Sequence, residues 1–311
     1  MSRILLAGSL AYDRVMTFPG EFKDHILPDK IHQLSVCFLI SKVVEEFGGT
    51  GGNIAYNLSL FGISPKLLAA AGTDFPRYKE RLEALGIDTS SVIVSDELPT
   101  AGAYIMSDMK DNQITAFAPG AGSLAYPEPF DLSDISVTLV SPTSVEDMTA
   151  VPAAAKAAGI PYFFDPGQQT SALSAAQLRE SIEGADALFV NDYELAMVIE
   201  KTGWNEDELL ARVRLLVVTL GSEGSRLVTK DGEVRIAPVP ASLLDPTGAG
   251  DAYRAGFIAG HQKGLSDTAS AKIASVIAAY AVESHGTQAH APSREEMKAR
   301  YESAYSETWP L

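Results

Sequence analysis

The stretch L-L-D-P-T-G-A-G-D-A-Y-R-A-G-F-I-A-G, Leu243 to Gly260, sets an aspartate and a cluster of small residues at the start of an apolar, helix-period segment. Gly248, Ala249 and Gly250 stand immediately before the helix, where backbone N–H groups have no partner one turn back. Small residues let an anion reach those donors, and the helix dipole favours negative charge there. All of these N–H groups are therefore expected to be unpaired. Asp251 is the odd member, because a carboxylate among anion-seeking amides competes with the anion. Two readings stand side by side. Asp251 caps the helix, as Asp often does, or it faces a hydroxyl beside the anion and takes its proton. Further on, Ala252, Gly256 and Gly260 form a stripe of small residues that predicts close packing of this helix against a sheet, although each glycine costs about 1 kcal/mol in a helix interior.

Outward from this stretch, short apolar runs end in glycine or polar residues: ILLAG (Ile4 to Gly8), KLLAAAG from Lys66, VTLVSP from Val137, PYFFDPG from Pro161, ALFVND from Ala187 and LLVVTLG from Leu215. They read as buried strands. Helical segments such as RYKERLEALG and SAAQLRESIEG lie between them, and the last third of the chain is mostly helical. Strands alternating with helices imply an α/β fold with a mainly parallel sheet covered on both faces. Functional loops of such a sheet emerge at the carboxyl ends of its strands, which puts TLGSEG, DPGQQ and NDYE on one rim. Two segments break the rhythm. Val15 to Phe47 and Thr100 to Phe117 have weak helical periodicity, and AGAYIMSDMKDNQITAF in the second reads as a hairpin. Together, over about 15–47 and 98–118, they are expected to form a small β-sheet lid on a single domain spanning 1–311.

The composition narrows the function. The chain has 311 residues, 46% of them hydrophobic, which allows a large core. Its net charge of −16 argues against nucleic acid or an anionic membrane as partner. A single cysteine, Cys37, excludes an intrachain disulfide, and its setting in VCFLI predicts a small buried hydrophobe. With no signal-peptide pattern and no long apolar span, a cytoplasmic protein is expected. Gly-Lys occurs nowhere and GSLAYD follows the first strand, so neither the P-loop nor the dinucleotide fingerprint is present.

DPTGAGDAYRAG resembles the DTxGAGD signature of the ribokinase-like (PfkB) family of sugar and nucleoside kinases. Pro246 departs from the usual threonine at the second position. EFGGTGGNIAYNLSLFG (Glu46 to Gly62) resembles the family's other signature, NDYE its NxxE motif and VTLGSEG its TxGxxG loop. The four motifs keep the family's order across almost the whole chain. FGGTGGNIAYNL, NQITAFAPGA and FDPGQQ are similar to bacterial and archaeal adenosine and nucleoside kinases.

The resemblance implies a ribokinase-like, three-layer fold and an ATP- and Mg²⁺-dependent kinase, with K⁺ left open as a monovalent cation. Its substrate would be a nucleoside, adenosine first, and the protein a monomer or homodimer. Asp251 is implied as general base, with an ordinary carboxylate pKa of about 4. Gly248, Ala249 and Gly250 are implied as the anion hole. Asn191 and Glu194 are implied to order Mg²⁺, although N-x-x-E is also a capping-box pattern. Thr219, Gly221 and Gly224 would lie along the nucleotide, with Asp245 on the same side. The sugar would meet Asp13, Gly49 and Asn53. Phe117 would stack on a base, and Gln168 and Gln169 would read ring or sugar atoms. Two rivals remain: a sugar kinase, which for a phosphosugar would need an Arg or Lys that the matched motifs do not offer, and a non-catalytic nucleoside-binding protein.

Overall fold

The apolar runs become strands whose alternate side chains serve two separate cores. The protein's structure, a computed structural model, describes residues 3–26, 32–33, 35–110 and 112–311. Its strands are β1 (Arg3–Ala7), β2 (Ala11–Thr17), β3 (Lys42–Gly48), β4 (Lys66–Ala71), β5 (Val92–Val94), β6 (Ala101–Ser107), β7 (Gln113–Ala118), β8 (Ile135–Val140), β9 (Tyr162–Phe164), β10 (Ala187–Asn191), β11 (Leu215–Thr219), β12 (Ser225–Thr229) and β13 (Gly232–Ile236). The helices are α1 (Thr50–Leu60), α2 (Phe75–Ala84), α3 (Asp147–Ala157), α4 (Ala175–Ile182), α5 (Asp192–Thr202), α6 (Glu206–Leu210), α7 (Ala249–Gln262), α8 (Asp267–Val282) and α9 (Arg294–Tyr305).

The main sheet runs β13-β12-β11-β10-β9-β8-β1-β4-β5. Pairing is parallel from β11 to β5 and antiparallel only at β11/β12 and β12/β13. Successive side chains in a strand point to opposite faces. Ile4 and Leu6 accordingly join α1, α2, α7 and α8 in one core, whereas Leu5 and Ala7 join α3, α4, α5 and α6 in the other. This is the expected three-layer α/β architecture.

A second, four-stranded sheet runs β3-β2-β6-β7. It is mixed, since β2 and β6 pair in parallel while the outer pairs are antiparallel. It begins at Ala11 rather than Val15, because buried Leu10 and Tyr12 anchor its root directly after β1. The AGAYIMSDMKDNQITAF hairpin forms as expected, with Asp108 accepting from the backbone N–H groups of Phe22, Lys110 and Asn112 at its turn. Residues 27–31 and 34 of the expected lid, and 111 in the hairpin turn, lie outside the described residues.

Two expectations are overturned here. Cys37 is exposed. Residues 35–40 take up no regular structure; Phe38 turns inward onto Phe18 and Phe22 (ring centroids 4.9 and 5.1 Å), leaving its neighbours Cys37 and Leu39 facing out. The glycine stripe of α7 faces a helix, not the sheet. A Cβ on Gly256 would lie 2.6 Å from Ala274 Cα, and one on Gly260 2.8 Å from Ser270 Cα, both in α8. Phe257 reaches the sheet against Phe189 at 5.2 Å, and Tyr253 meets Ser225 of β12 at 2.7 Å.

Gly256→Ala sets two effects against each other. Helix propensity gains about 1 kcal/mol, while overpacking against the α8 backbone costs about 1–3 kcal/mol. The backbone contact is unyielding, so the melting temperature should drop. A thermal melt with an equal or higher midpoint would show that the two helices can separate freely.

Candidate active site

The rim formed by the carboxyl ends of β1, β8, β9, β10 and β11 opens into a cleft of about 630 Å³. Open parallel sheets place ligand sites at this end. The N-terminus of α7 closes one wall, that of α1 another, and Phe117 of the small sheet stands at the mouth, 61% exposed. Gly49 heads α1 at φ +83°, a conformation disfavoured for other residues. A Cβ there would lie 2.6 Å from Ser9 O. This close approach lays α1 across the start of the small sheet and turns Asn53 into the cleft.

At α7 the helix cap is Gly248, at φ +80°, with no side-chain cap bond. Asp251 is therefore not a cap. Its Oδ2 accepts from Asn53 Nδ2 at 2.9 Å, and its carboxylate lines the cleft. The expectation of uniformly unpaired amides is corrected at one position. Ala249 N–H turns back to Pro246 O at 3.3 Å, while the Gly248, Gly250 and Asp251 N–H groups have no partner among the described residues.

Beneath this loop lies a pair that the motifs had not singled out. Arg254 and Asp165, 5% and 2% exposed, meet with Nε–Oδ2 at 2.5 Å and Nη2–Oδ1 at 2.7 Å. Ser141 Oγ donates to the same carboxylate at 3.1 Å. Arg254 also lies 3.9 Å from Glu194. The expectation that no Arg or Lys comes near the cleft is thus wrong, since Arg254 lines it from within the DPTGAGDAYRAG motif. Its charge is, however, already countered by the buried Asp165 carboxylate, to which Nη2 donates.

The electrostatics follow from this burial. Asp251 is pushed up to about 7, not left near 4: desolvation raises it, the Asn53 bond and Arg254 pull it down, and Asp165 and Asp13 push it up again. Asp13, in β2 rather than a solvated loop, is pushed up to about 6 by burial and by Glu46 and Asp245. Burial also raises Glu194.

Asn191 and Glu194 form the capping box that their spacing allows, with Asn191 Oδ1 accepting from Glu194 N at 2.7 Å and Glu194 Oε2 from Asn191 N at 2.8 Å. Both still line the cleft, as do Asp13, Gly49, Asn53, Phe117, Gln168, Thr219 and Gly221. Three expected residues do not. Gln169 donates to Thr143 O at 2.6 Å. Gly224 is pressed against Ile236 O where the β11–β12 hairpin turns. Asp245 accepts from Thr247 N and Gly286 N, bracing the loop before α7. Thr287, far along the chain from every motif, lines the cleft without having been anticipated.

Comparison with known proteins gives this arrangement a family. Its fold is the ribokinase-like one: the structure of Burkholderia thailandensis nucleoside kinase in complex with inosine matches at TM-score 0.85 and 38% identity, covering 98% of this chain and 99% of that one. The same protein in complex with ADP-inosine matches at TM-score 0.83 and 39% identity, covering 98% of this chain and 97% of that one. A nucleoside kinase of Methanocaldococcus jannaschii is 31% identical over 306 residues, 97% of each chain. An ATP-dependent ribose-1-phosphate kinase of Halopiger xanaduensis is 31% identical over 269 residues, 83% of this chain and 84% of its own length. The pfkB family carbohydrate kinase pattern matches residues 16–294, and the chain belongs to that family.

Raised carboxylate pKa values have a consequence for stability. Asp13 and Asp251 bind protons more tightly in the native state, at about 6 and about 7, than unfolded at about 4. Stability therefore declines as pH rises from about 4 to about 7. Asp251→Asn removes one share of this, so its urea midpoint should exceed that of the wild type at pH 8 and approach it at pH 5. A variant with no advantage at pH 8 would refute the buried-carboxylate argument.

Proposed function

We propose that the protein is an ATP-dependent nucleoside kinase acting on the 5′-hydroxyl, with adenosine converted to AMP as the first-choice reaction. One observation carries the reading. The carboxylate of Asp251 is free of helix capping and lies in the same cleft as Asp13, Asn53 and the unpaired amides of Gly248 and Gly250. A base and an anion hole side by side suit proton removal from an alcohol at the point where phosphoryl charge develops. The relatives' names support a nucleoside, and the complex with ADP-inosine supports adenine nucleotide beside it.

In this scheme Asp251 Oδ1 takes the proton of the primary hydroxyl as its oxygen bonds the γ-phosphorus and ADP departs. The N–H groups of Gly248, Gly250 and Asp251 hold the transferring group. Asp13 accepts from the sugar hydroxyls, as a carboxylate can from two donors. Thr219 and Gly221 lie along the nucleotide. Phe117 stacks on the base, worth about 1–3 kcal/mol. The small sheet acts as a lid that excludes water.

Among the described residues no cluster of three or more ligating side chains would cage a metal. Mg²⁺ needs none, since it keeps waters and leans on phosphate oxygens with one or two carboxylates. Glu194 suits that use: Oε2 serves the capping box, and Oε1 has no hydrogen-bond partner among the described residues. Bound through Glu194, Mg²⁺ would neutralise phosphate charge.

Arg254 and the ribose-1-phosphate kinase relative raise the phosphosugar alternative. The Asp165 pairing of Arg254 weighs against it, because a guanidinium already paired with a buried carboxylate has little charge left for a second anion.

Asp251→Asn should lower kcat at least about 10²-fold while nucleoside binding persists. In the wild type, kcat/KM should fall as pH drops through about 7, where the carboxyl becomes protonated. ADP release from Mg²⁺ and ATP, measured with a panel of nucleosides, ribose and fructose 6-phosphate, reads both points. Near-full turnover by the variant would dispose of the base, and tight nucleoside binding without ADP would indicate a binding protein.

A further inference from the structure

Thr287 is 3% exposed and touches three parts of the cleft at once. Its Oγ1 lies 2.8 Å from Asn53 Oδ1 in α1 and 3.1 Å from Phe47 O in β3. Its methyl side packs on the anion loop, where a Cβ on Gly248 would come within 3.0 Å of Thr287 Cγ2. Gln288 Nε2 also donates to Asn53 Oδ1, at 3.2 Å. An amide oxygen has two lone pairs, and both are spoken for. A flipped Asn53 would set its NH₂ against the Gln288 donor and its oxygen against a carboxylate, and would leave the Thr287 proton only Phe47 O as acceptor. Only one orientation is therefore open, the one whose N–H reaches Asp251 Oδ2 at 2.9 Å. Asn53 consequently has no acceptor left for a sugar hydroxyl and can meet substrate only with its second N–H.

We infer that Thr287 is a positioning residue for phosphoryl transfer: its hydroxyl locks the Asn53 amide toward Asp251 and keys that pair to Gly248 and to the root of the small sheet. The inference rests on the reading of Asp251 as base. Because Thr287 has a single hydroxyl proton and two acceptors, a shift of Phe47 with β3 changes how firmly Asn53 is held. Closure of the small sheet is thereby linked to the orientation of the base. The other charges facing Asp251 are Asp13 from β2, Asp165 beyond β9 and Arg254 from α7 itself. None of them touches the Thr287 hydroxyl, so its removal isolates the amide.

Thr287→Val keeps the shape and deletes the hydroxyl; Thr287→Ser keeps the hydroxyl. With the best nucleoside of the panel, Thr287→Val should lose roughly tenfold in kcat with KM for ATP nearly unchanged. The acid limb of its kcat/KM profile should move up by about half a pH unit as Asp251 loses the Asn53 bond. Thr287→Ser should keep the wild-type limb. Asn53→Ala should show the same upward shift, and adding Thr287→Val to it should shift the limb no further, as for two parts of one unit. Circular dichroism melts establish that each variant folds, and Thr287→Ala serves in place of a Val variant that does not. A hydroxyl-less variant with wild-type kcat and limb, a Ser variant as impaired as Val, or additive shifts in the double variant would each overturn the inference. If Asp251→Asn is inactive while Thr287→Val is silent, only this inference falls. If Asp251→Asn stays active, the base beneath it falls as well.

Discussion

The buried ion pair between Arg254 and Asp165 is the constraint on which the cleft depends. It ties α7 to the end of β9, directly under the loop that offers its amides to the cleft. Gly250 is confined by the same arginine, since a Cβ there would lie 2.7 Å from Arg254 Nη1. Removing one partner of such a pair leaves a stranded charge and typically costs about 3–5 kcal/mol. The pair therefore fixes the mouth of α7 relative to the sheet, and with it the spacing between loop amides and the Asp251 carboxylate.

The pair also explains the electrostatic character of the cleft. Among the described residues lining it, Arg254 is the one cation, set against Asp13, Asp165, Asp192, Glu194 and Asp251. Asp165 takes up that cation, so little positive side-chain charge is left at the surface. Desolvation, joined by neighbouring carboxylates, holds two carboxyls well above their usual range. What faces an anion here is a set of unpaired backbone N–H groups and a helix N-terminus, in a protein of net charge −16 that belongs to a kinase family.

Much of the architecture was legible in the residues. The run from Ile4 to Gly8 and its counterparts read as strands buried on both faces, and the glycines before α7 announced a helix with open donors. What was not legible depends on pairings across long separations. Asp165 and Arg254 both stand in motifs that drew notice, but their partnership spans 89 positions and no local pattern encodes it. Thr287 sits in a loop with no periodicity, and its importance comes from three neighbours brought in by three different elements. The tuning of Asp251 was missed for the same reason: it is a property of surroundings, while the motif shows only the residue type. Local rules misled where one-sided burial replaced a run of apolar residues, as at Cys37, and where a small-residue stripe found a helix instead of a sheet.

The outward-facing sulfur of Cys37 has a practical consequence. The chain contains a single cysteine, and it sits beside the aromatic cluster at the far end of the small sheet from the cleft. A maleimide dye or nitroxide attached there would label one position without engineering. It would thus give a native vantage point from which to measure, in solution, whether the angle between the two sheets changes.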